Sequence, residues 1–219
     1  MKHDYTHMTV ILDRTGSMEA IRDDTIGGFN AFLRQQKAEP GSATLTLVQF
    51  DSQDPYEIVH QFKALAAVPE LTRKTFVPRA STPLLDAMGR GINDLEKSLA
   101  DLREDARPAR VVMVVITDGQ ENASREFRKE QIQKMIQEKQ KQSDWQFVFL
   151  SADLAAIDDA LASGVHARSA MAFDKSVFGI AAVWGATSAR IADYRAARTS
   201  AVSFTEEDRA RQDSEKQRK

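Results

Sequence analysis

RVVMVVITDG, residues 110–119, is the most hydrophobic run of the 219-residue chain. Its apolar residues are mostly β-branched and do not alternate with polar ones, which is typical of a parallel strand that is covered on both faces. The carboxyl end of the run carries Asp118 and Gly119, where the chain leaves the predicted strand. The run therefore predicts an α/β protein with this strand near the middle of its sheet.

Strand and helix patterns alternate on both sides of this run. We predict further strands at residues 7–13, 43–51, 56–62, 145–152 and 165–173, and helices at about 18–38, 85–102, 125–142, 153–162 and 174–198. The short connection SQDP predicts a hairpin, so that residues 56–62 form an antiparallel edge strand. Right-handed crossovers then give an α/β fold with a doubly wound, mostly parallel sheet, one antiparallel edge strand and helices on both faces, a Rossmann-like arrangement.

Helical spacing predicts which side chains face the core. In the last long helix the predicted inward residues are Val177, Ile180, Trp184, Thr187, Ile191 and Tyr194. The pair Gly27–Gly28 lies inside the first helix, where we expect it to permit close packing. No repeat or linker divides the chain, so we expect one domain over residues 1–198. Residues 199–219 are almost entirely polar after Phe204 and predict a flexible tail, or alternatively a short helix capped by Thr205.

Composition excludes several classes of function. The net charge is −2, with acidic and basic residues mixed along the chain, so we expect neither a nucleic-acid partner nor a membrane surface. The sequence contains no cysteine, which excludes disulfides and thiolate metal sites. No apolar run resembles a signal peptide or a transmembrane segment, and we therefore expect a soluble, cytoplasmic protein.

A second stretch, VILDRTGSME at residues 10–19, places polar groups where a buried strand ends. Asp13, Thr15 and Ser17 occupy alternate positions, so their side chains can converge on one point, and Gly16 allows a tight bend between the hydroxyls. A carboxylate and two hydroxyls are hard oxygen donors, which suit Mg²⁺ or Mn²⁺. The alternative is an ordinary turn in which a hydroxyl caps the following helix.

Two further segments place polar groups near the same edge of the predicted sheet. Thr82 in ASTPLLDAM precedes a clear helix, and a helix N-cap followed by proline is one interpretation of it. Asp118 ends the central strand and lies in an Asp-Gly pair that is also common in turns. Because ligands of doubly wound folds lie beyond the carboxyl ends of the central strands, Asp13 and Asp118 are in the right place for a site.

The three segments together resemble the metal-ion-dependent adhesion site of von Willebrand factor type A domains. That motif combines D-x-S-x-S after the first strand, a threonine in a later loop and an aspartate at the end of the fourth strand. The chain offers DRTGS at residues 13–17, Thr82 and Asp118 in the same order, over a resemblance that covers residues 5–195. One departure is Thr15, which stands where the family usually has serine but keeps the hydroxyl.

The resemblance implies that Asp13, Thr15, Ser17, Thr82 and Asp118 bind Mg²⁺ or Mn²⁺. Ser17 and Thr15 are expected to be direct ligands, whereas direct and water-mediated roles stay open for the other three. The layout is similar to small intracellular bacterial members of the family. These members imply a non-catalytic adaptor whose metal is completed by an Asp or Glu of a protein partner, such as an AAA+ ATPase or a stress-response component.

The alternative function is a Mg²⁺-dependent hydrolase or phosphotransferase. Phosphatases that begin from a strand-end aspartate need a second acid two residues later, and Thr15 occupies that position here. The four histidines, His3, His7, His60 and His166, lie outside the predicted site. No glycine-rich phosphate-binding motif is present either. The residues therefore favour a binding module without catalytic residues.

Overall fold

The computed structural model describes the backbone of residues 2–216 and the side chains of residues 4–212. Its strands are β1 (Lys2–Asp13), β2 (Ser42–Phe50), β3 (Glu57–Ala64), β4 (Pro108–Thr117), β5 (Gln146–Ser151) and β6 (Ala170–Ala172). Its α-helices are α1 (Arg22–Ala38), α2 (Leu84–Asp101), α3 (Lys129–Ser143), α4 (Leu154–Ala162), α5 (Val177–Arg195) and α6 (Glu206–Lys216). Strands and helices alternate along most of this chain, as the sequence predicts.

The six strands form one sheet in the order β3-β2-β1-β4-β5-β6. Strands β1, β2, β4, β5 and β6 run parallel to one another, and β3 alone in this sheet is antiparallel, paired with β2. The predicted doubly wound sheet with an antiparallel edge strand is therefore confirmed. The strand order reverses between β1 and β4, so a crevice lies beyond their carboxyl ends.

Two apolar cores cover the two faces of the sheet. One contains aromatic residues of α1 and α5, among them Phe29, Phe32 and Trp184, and the other contains the apolar faces of α2 and α3. Gly28 gives the closest approach between α1 and α5, since a Cβ atom there would lie 2.2 Å from Trp184 Cδ1. The close packing predicted for the pair Gly27–Gly28 is therefore present at Gly28 but not at Gly27, where a Cβ atom would meet nothing within 4 Å. Within residues 2–216, no helix is long and apolar enough to cross a bilayer.

Three elements differ from the sequence prediction in their bounds. Strand β1 begins at Lys2 rather than at residue 7, because its polar first half pairs with β2 from Tyr5 onward. The first helix is divided into a 3₁₀ segment, Gly16–Ile21, and α1. The last strand has only three residues, preceded by a 3₁₀ turn at Ala167–Ser169.

Two predictions about the end of the chain were wrong. Val177 was expected to face the core, but 60 % of it is exposed because it lies in the first turn of α5, beyond the apolar core. The segment 199–216 is not a flexible tail: Phe204 joins the apolar core, and α6 packs against α5. The alternative of a helix capped by Thr205 agrees with the structure, since Thr205 Oγ1 accepts a hydrogen bond from the Asp208 backbone N–H. Residues 217–219 lie outside the described part of the chain.

Candidate metal centre

The two predicted carboxylates lie side by side at the carboxyl edge of the sheet. Asp13 is the last residue of β1, and Asp118 immediately follows Thr117, the last residue of β4. Because β1 and β4 are adjacent and parallel, their ends meet at the point where the strand order reverses. Both residues are buried, with exposures of 0 % and 1 %. Two buried carboxylates at one place need compensating hydrogen bonds or cations.

Asp13 is compensated by hydrogen bonds. Its Oδ1 accepts from the Thr15 backbone N–H at 2.7 Å, and its Oδ2 accepts from Thr117 Oγ1 at 2.6 Å. Burial, with a smaller contribution from the negative charge of Asp118, raises the pKa of the Asp13 carboxyl to about 6, although the hydrogen bonds from Thr117 and Thr15 oppose this shift. A positive charge close to Asp13 would therefore stabilise the ionised form of its carboxyl group.

The two hydroxyls connect the first loop to the other carboxylate. Thr15 Oγ1 lies 3.1 Å from Ser17 Oγ, and Ser17 Oγ donates to Asp118 Oδ1 at 2.5 Å. Thr15 precedes the 3₁₀ segment, but its side chain makes no capping hydrogen bond. The alternative interpretation of this motif as a simple helix cap is therefore not what the structure shows.

Thr82 lies in a neighbouring loop and is buried, with 4 % exposure. Its backbone N–H donates to Asn122 Oδ1 at 2.9 Å, and its carbonyl accepts from the Asn122 N–H at 3.1 Å. The same loop accepts a hydrogen bond from Gly16 N–H at the Ala80 carbonyl. These backbone contacts hold the Thr82 loop against the Asp13 loop and the loop after β4.

The N-cap interpretation of Thr82 is not supported. The first turn of α2 is instead capped from the loop that follows β4: Glu121 Oε2 accepts from the Leu85 N–H at 2.9 Å, and Ser124 Oγ accepts from the Asp86 N–H at 3.0 Å. Helix α2 in turn holds that loop, because the Asp86 carboxylate accepts three backbone N–H groups at 2.8–2.9 Å, from residues 125–127. The helix and the loop are thus fixed to one another.

A buried ion-pair network supports the first loop from the other side. Arg14 lies between Asp13 and Thr15 in the sequence. Its Nε donates to Asp51 Oδ2 at 2.9 Å, and its guanidinium also pairs with Glu57. Arg79 Nε donates to the same Asp51 oxygen at 2.9 Å. Arg14 therefore points away from the carboxylates and fixes the loop to β2, to β3 and to the segment that carries Thr82.

Sequence reasoning missed two side chains that touch the centre. Thr117 directly precedes Asp118, and a hydroxyl at the end of an otherwise apolar strand was a signal that could have identified it. Lys175, in the loop before α5, donates from Nζ to Asp118 Oδ2 at 2.9 Å. No motif or spacing marks this lysine, because it lies 57 residues from its partner.

The donor chemistry of the centre fits a divalent cation that prefers oxygen. Two carboxylates and two hydroxyls lie in one hydrogen-bonded cluster, and such donors suit Mg²⁺ or Mn²⁺ better than softer metals. Among the described residues, no group of three or more Asp, Glu or His side chains is arranged to hold an ion. Hydroxyls and water would therefore have to supply much of the coordination around Asp13 and Asp118.

Comparisons with known proteins agree on the fold. No protein-family model matches the sequence, and no curated protein matches it either. Among solved structures, proximal thread matrix protein 1 of the mussel byssus, with a zinc-occupied MIDAS motif, is similar at a TM-score of 0.58 and 12 % identity, over 86 % of this chain and 46 % of that one. A von Willebrand factor type A protein of Catenulispora acidiphila is similar at 0.57 and 11 %, over 85 % and 42 %.

A manganese-loaded TRAP protein of Plasmodium vivax is also similar, at a TM-score of 0.56 and 16 % identity over 79 % of this chain and 70 % of that one. The chain spans less than half the length of the first two structures. Sequence identities of 11–16 % support a comparison of the folds and not of the activities. The sheet order, the flanking helices and these structural likenesses show that the chain has the von Willebrand factor type A fold, as the sequence motifs predicted.

Proposed function

We propose that this chain is a non-catalytic protein-binding module whose centre, formed by Asp13, Thr15, Ser17, Thr82 and Asp118, binds Mg²⁺ or Mn²⁺. The observation that carries the proposal is the hydrogen-bonded series that runs from Thr15 through Ser17 to Asp118 beside the buried Asp13. A bound cation would supply the positive charge that Asp13 lacks. Two similar structures hold zinc or manganese, which supports a divalent cation.

The partner group that fits such a cation is a carboxylate. An Asp or Glu of a protein partner would bring a charged oxygen ligand to a position that water otherwise fills. Val177 and Phe178 support a protein partner, since they are 60 % and 68 % exposed and lie next to Lys175 at the same edge of the fold. Exposed apolar side chains near a polar site are typical of interaction surfaces.

A cytoplasmic adaptor role, beside an AAA+ ATPase or in a stress response, is the expectation that the family resemblance provides for this proposal. The surroundings of the centre favour binding over catalysis. Ser17 donates its hydrogen bond to a carboxylate that Lys175 already neutralises, so nothing in this pair activates the serine as a nucleophile. The buried His7 also takes no part in the centre, since it contacts Thr44 and Phe62 within the sheet.

Calorimetric titration with Mg²⁺ and Mn²⁺ tests whether the proposed centre binds a divalent cation. Asp13→Ala and Ser17→Ala should weaken binding, whereas Asp159→Ala, which removes an exposed carboxylate on α4, should leave it unchanged. Equal binding by the wild type and Asp13→Ala would show that the ion lies elsewhere.

Capture experiments from the native host test the partner half. Mg²⁺ should retain the partner and EDTA should release it, and Asp13→Ala should abolish capture while its circular dichroism stays native. A double Val177→Ser, Phe178→Ser variant should lose the partner but keep the metal affinity. Metal-dependent turnover on a panel of phosphoesters, abolished by Asp13→Ala, would instead establish the hydrolase alternative.

A further inference from the structure

Lys175 is a cation that the chain itself supplies to the centre. It lies in the loop between β6 and α5, and its Nζ donates to Asp118 Oδ2 at 2.9 Å. The Asp118 side chain is fully buried, whereas 43 % of the Lys175 side chain is exposed. The ammonium therefore approaches the buried carboxylate from the solvent side, the direction from which an ion would have to enter.

Both oxygens of Asp118 are occupied in this arrangement. Oδ1 accepts from Ser17 Oγ, and Oδ2 accepts from Lys175 Nζ. A divalent cation that uses Asp118 would place its charge close to the ammonium, and like charges at this distance repel strongly away from bulk water. The contact of Lys175 with Asp118 therefore disfavours metal coordination by Asp118, and metal coordination disfavours the lysine contact.

We propose that Lys175 competes with the divalent cation for Asp118, so that metal binding releases Lys175 and loosens the segment 174–178 that carries it. This inference rests on the proposed metal site and adds a regulatory residue to it. Thermodynamic linkage makes this competition reciprocal. A change that strengthens the contact between Lys175 and Asp118 lowers the metal affinity, and a change that weakens this contact raises the metal affinity.

The released lysine has another carboxylate nearby. Asp153 caps α4, and the pKa of its carboxyl is lowered chiefly by a hydrogen bond from Gln120 and in smaller part by the nearby charge of Lys175. The segment contains the N-cap of α5, where Ser176 Oγ accepts from the Gly179 N–H at 3.1 Å. Val177 and Phe178, the exposed apolar residues, lie within the same turn. Movement of Lys175 would therefore change the surface that the proposed partner contacts.

Metal affinity gives the first test. Lys175→Met keeps most of the side-chain length and removes the charge, and it should bind Mg²⁺ and Mn²⁺ about fivefold more tightly than the wild type, the fold-change typical of one well-formed ion pair. Lys129→Met is the matched control, because Lys129 is 41 % exposed and pairs with Asp159 at 2.6 Å away from the centre. Its affinity should equal that of the wild type.

Lys175→Arg keeps the charge and should bind metal with an affinity close to the wild-type value. This variant remains informative if Lys175→Met does not fold, because an affinity gain in Lys175→Arg equal to that of an uncharged variant such as Lys175→Gln would contradict a role for the charge. Thermal melts and circular dichroism of each variant establish that the compared proteins are folded.

Hydrogen exchange gives a readout that is independent of affinity. Adding Mn²⁺ or Mg²⁺ to the wild type should speed exchange in a peptide that covers residues 174–180, and Lys175→Met should show fast exchange there with or without metal. Exchange that slows on metal addition, or that does not respond in the wild type, would overturn the inference.

The outcomes separate this inference from the proposed function. If the wild type and Lys175→Met bind metal equally, or if the variant binds it more weakly, the competition is refuted while the metal site stands. If neither binds a divalent cation, both the site and the competition are refuted. If only the variant binds metal, the lysine is confirmed as the competing cation.

Discussion

Substitution at Gly28 tests whether the contact between α1 and α5 fixes the arrangement of the fold. A Cβ atom at this position would lie 2.2 Å from Trp184 Cδ1 and 2.9 Å from Nε1, where ordinary contact begins at 3.4 Å. The indole cannot move outward easily, because Trp184 is only 1 % exposed and its ring lies 5.8 Å from Phe29 and 5.3 Å from Phe32. Gly28→Ala must therefore push the two helices apart or displace the ring.

The expected loss of stability follows from two opposing effects. Overpacking of a dense core costs about 1–3 kcal/mol, and an overlap of this depth places Gly28→Ala at or above the upper end. Replacing glycine by alanine inside a helix returns about 1 kcal/mol. The net loss is about 2 kcal/mol, which lowers the melting temperature of a protein of this size by roughly 4–8 °C.

Gly27→Ala is a control at the neighbouring position. A Cβ atom there meets nothing within 4 Å, so this variant gains helix propensity without overlap and should be stabilised by about 0.5–1 kcal/mol. Urea unfolding and thermal melts of both variants measure the difference directly. If Gly28→Ala and Gly27→Ala shift stability in the same direction by similar amounts, the packing of α1 against α5 described above is wrong.

Three further predictions concern charge and capping. Burial lowers the pKa of His7 to about 3, so the unfolded state takes up the His7 proton first as the pH falls below 6.5. The contribution of His7 to stability should therefore fall by about 3 kcal/mol between pH 7 and pH 4, and in urea unfolding His7→Gln should lose less stability over this range than the wild type. Asp86→Ala removes the acceptor of three backbone N–H groups and should cost about 2–3 kcal/mol in melting experiments, whereas the exposed Asp101→Ala should cost almost nothing. Thr82→Ala should weaken Mg²⁺ binding in calorimetry with little change in melting temperature; a loss of about 1 kcal/mol in stability with unchanged metal affinity would instead identify Thr82 as a helix cap.

The sheet and the approach of its two central carboxylates could be predicted because they depend on strong local patterns. The run 110–119 is apolar without alternation, which fixed its strand at the centre, and parallel neighbours bring their carboxyl ends together. Asp13 and Asp118 therefore had to meet once their strands were recognised. The hydroxyls at alternate positions after β1 could then be predicted to lie near these carboxylates, and Ser17 does contact Asp118.

The start of β1 could not be predicted because its buried face is polar. Thr6 is only 1 % exposed, and the Tyr5 hydroxyl lies 2.8 Å from Thr44 Oγ1 on the neighbouring strand β2. Pairing among such side chains across strands satisfies them internally, so a hydrophobic pattern has no signal to detect. The same applies after residue 199, where Gln212 is buried and donates to the Gly179 carbonyl at 2.9 Å.

The charges at the centre are consistent with the proposed cation even though Lys175 is present. Asp13 and Asp118 carry two negative charges within one buried cluster, and the ammonium of Lys175 neutralises only Asp118. The influences on Asp13 are burial, hydrogen bonds from Thr117 and Thr15, and the negative charge of Asp118, so its carboxylate stays under-compensated. A divalent cation would satisfy both carboxylates at once, which the lysine cannot do. In the proposed competition, Lys175 would hold Asp118 in the absence of metal but leave Asp13 under-compensated, so that a divalent cation could still displace the lysine.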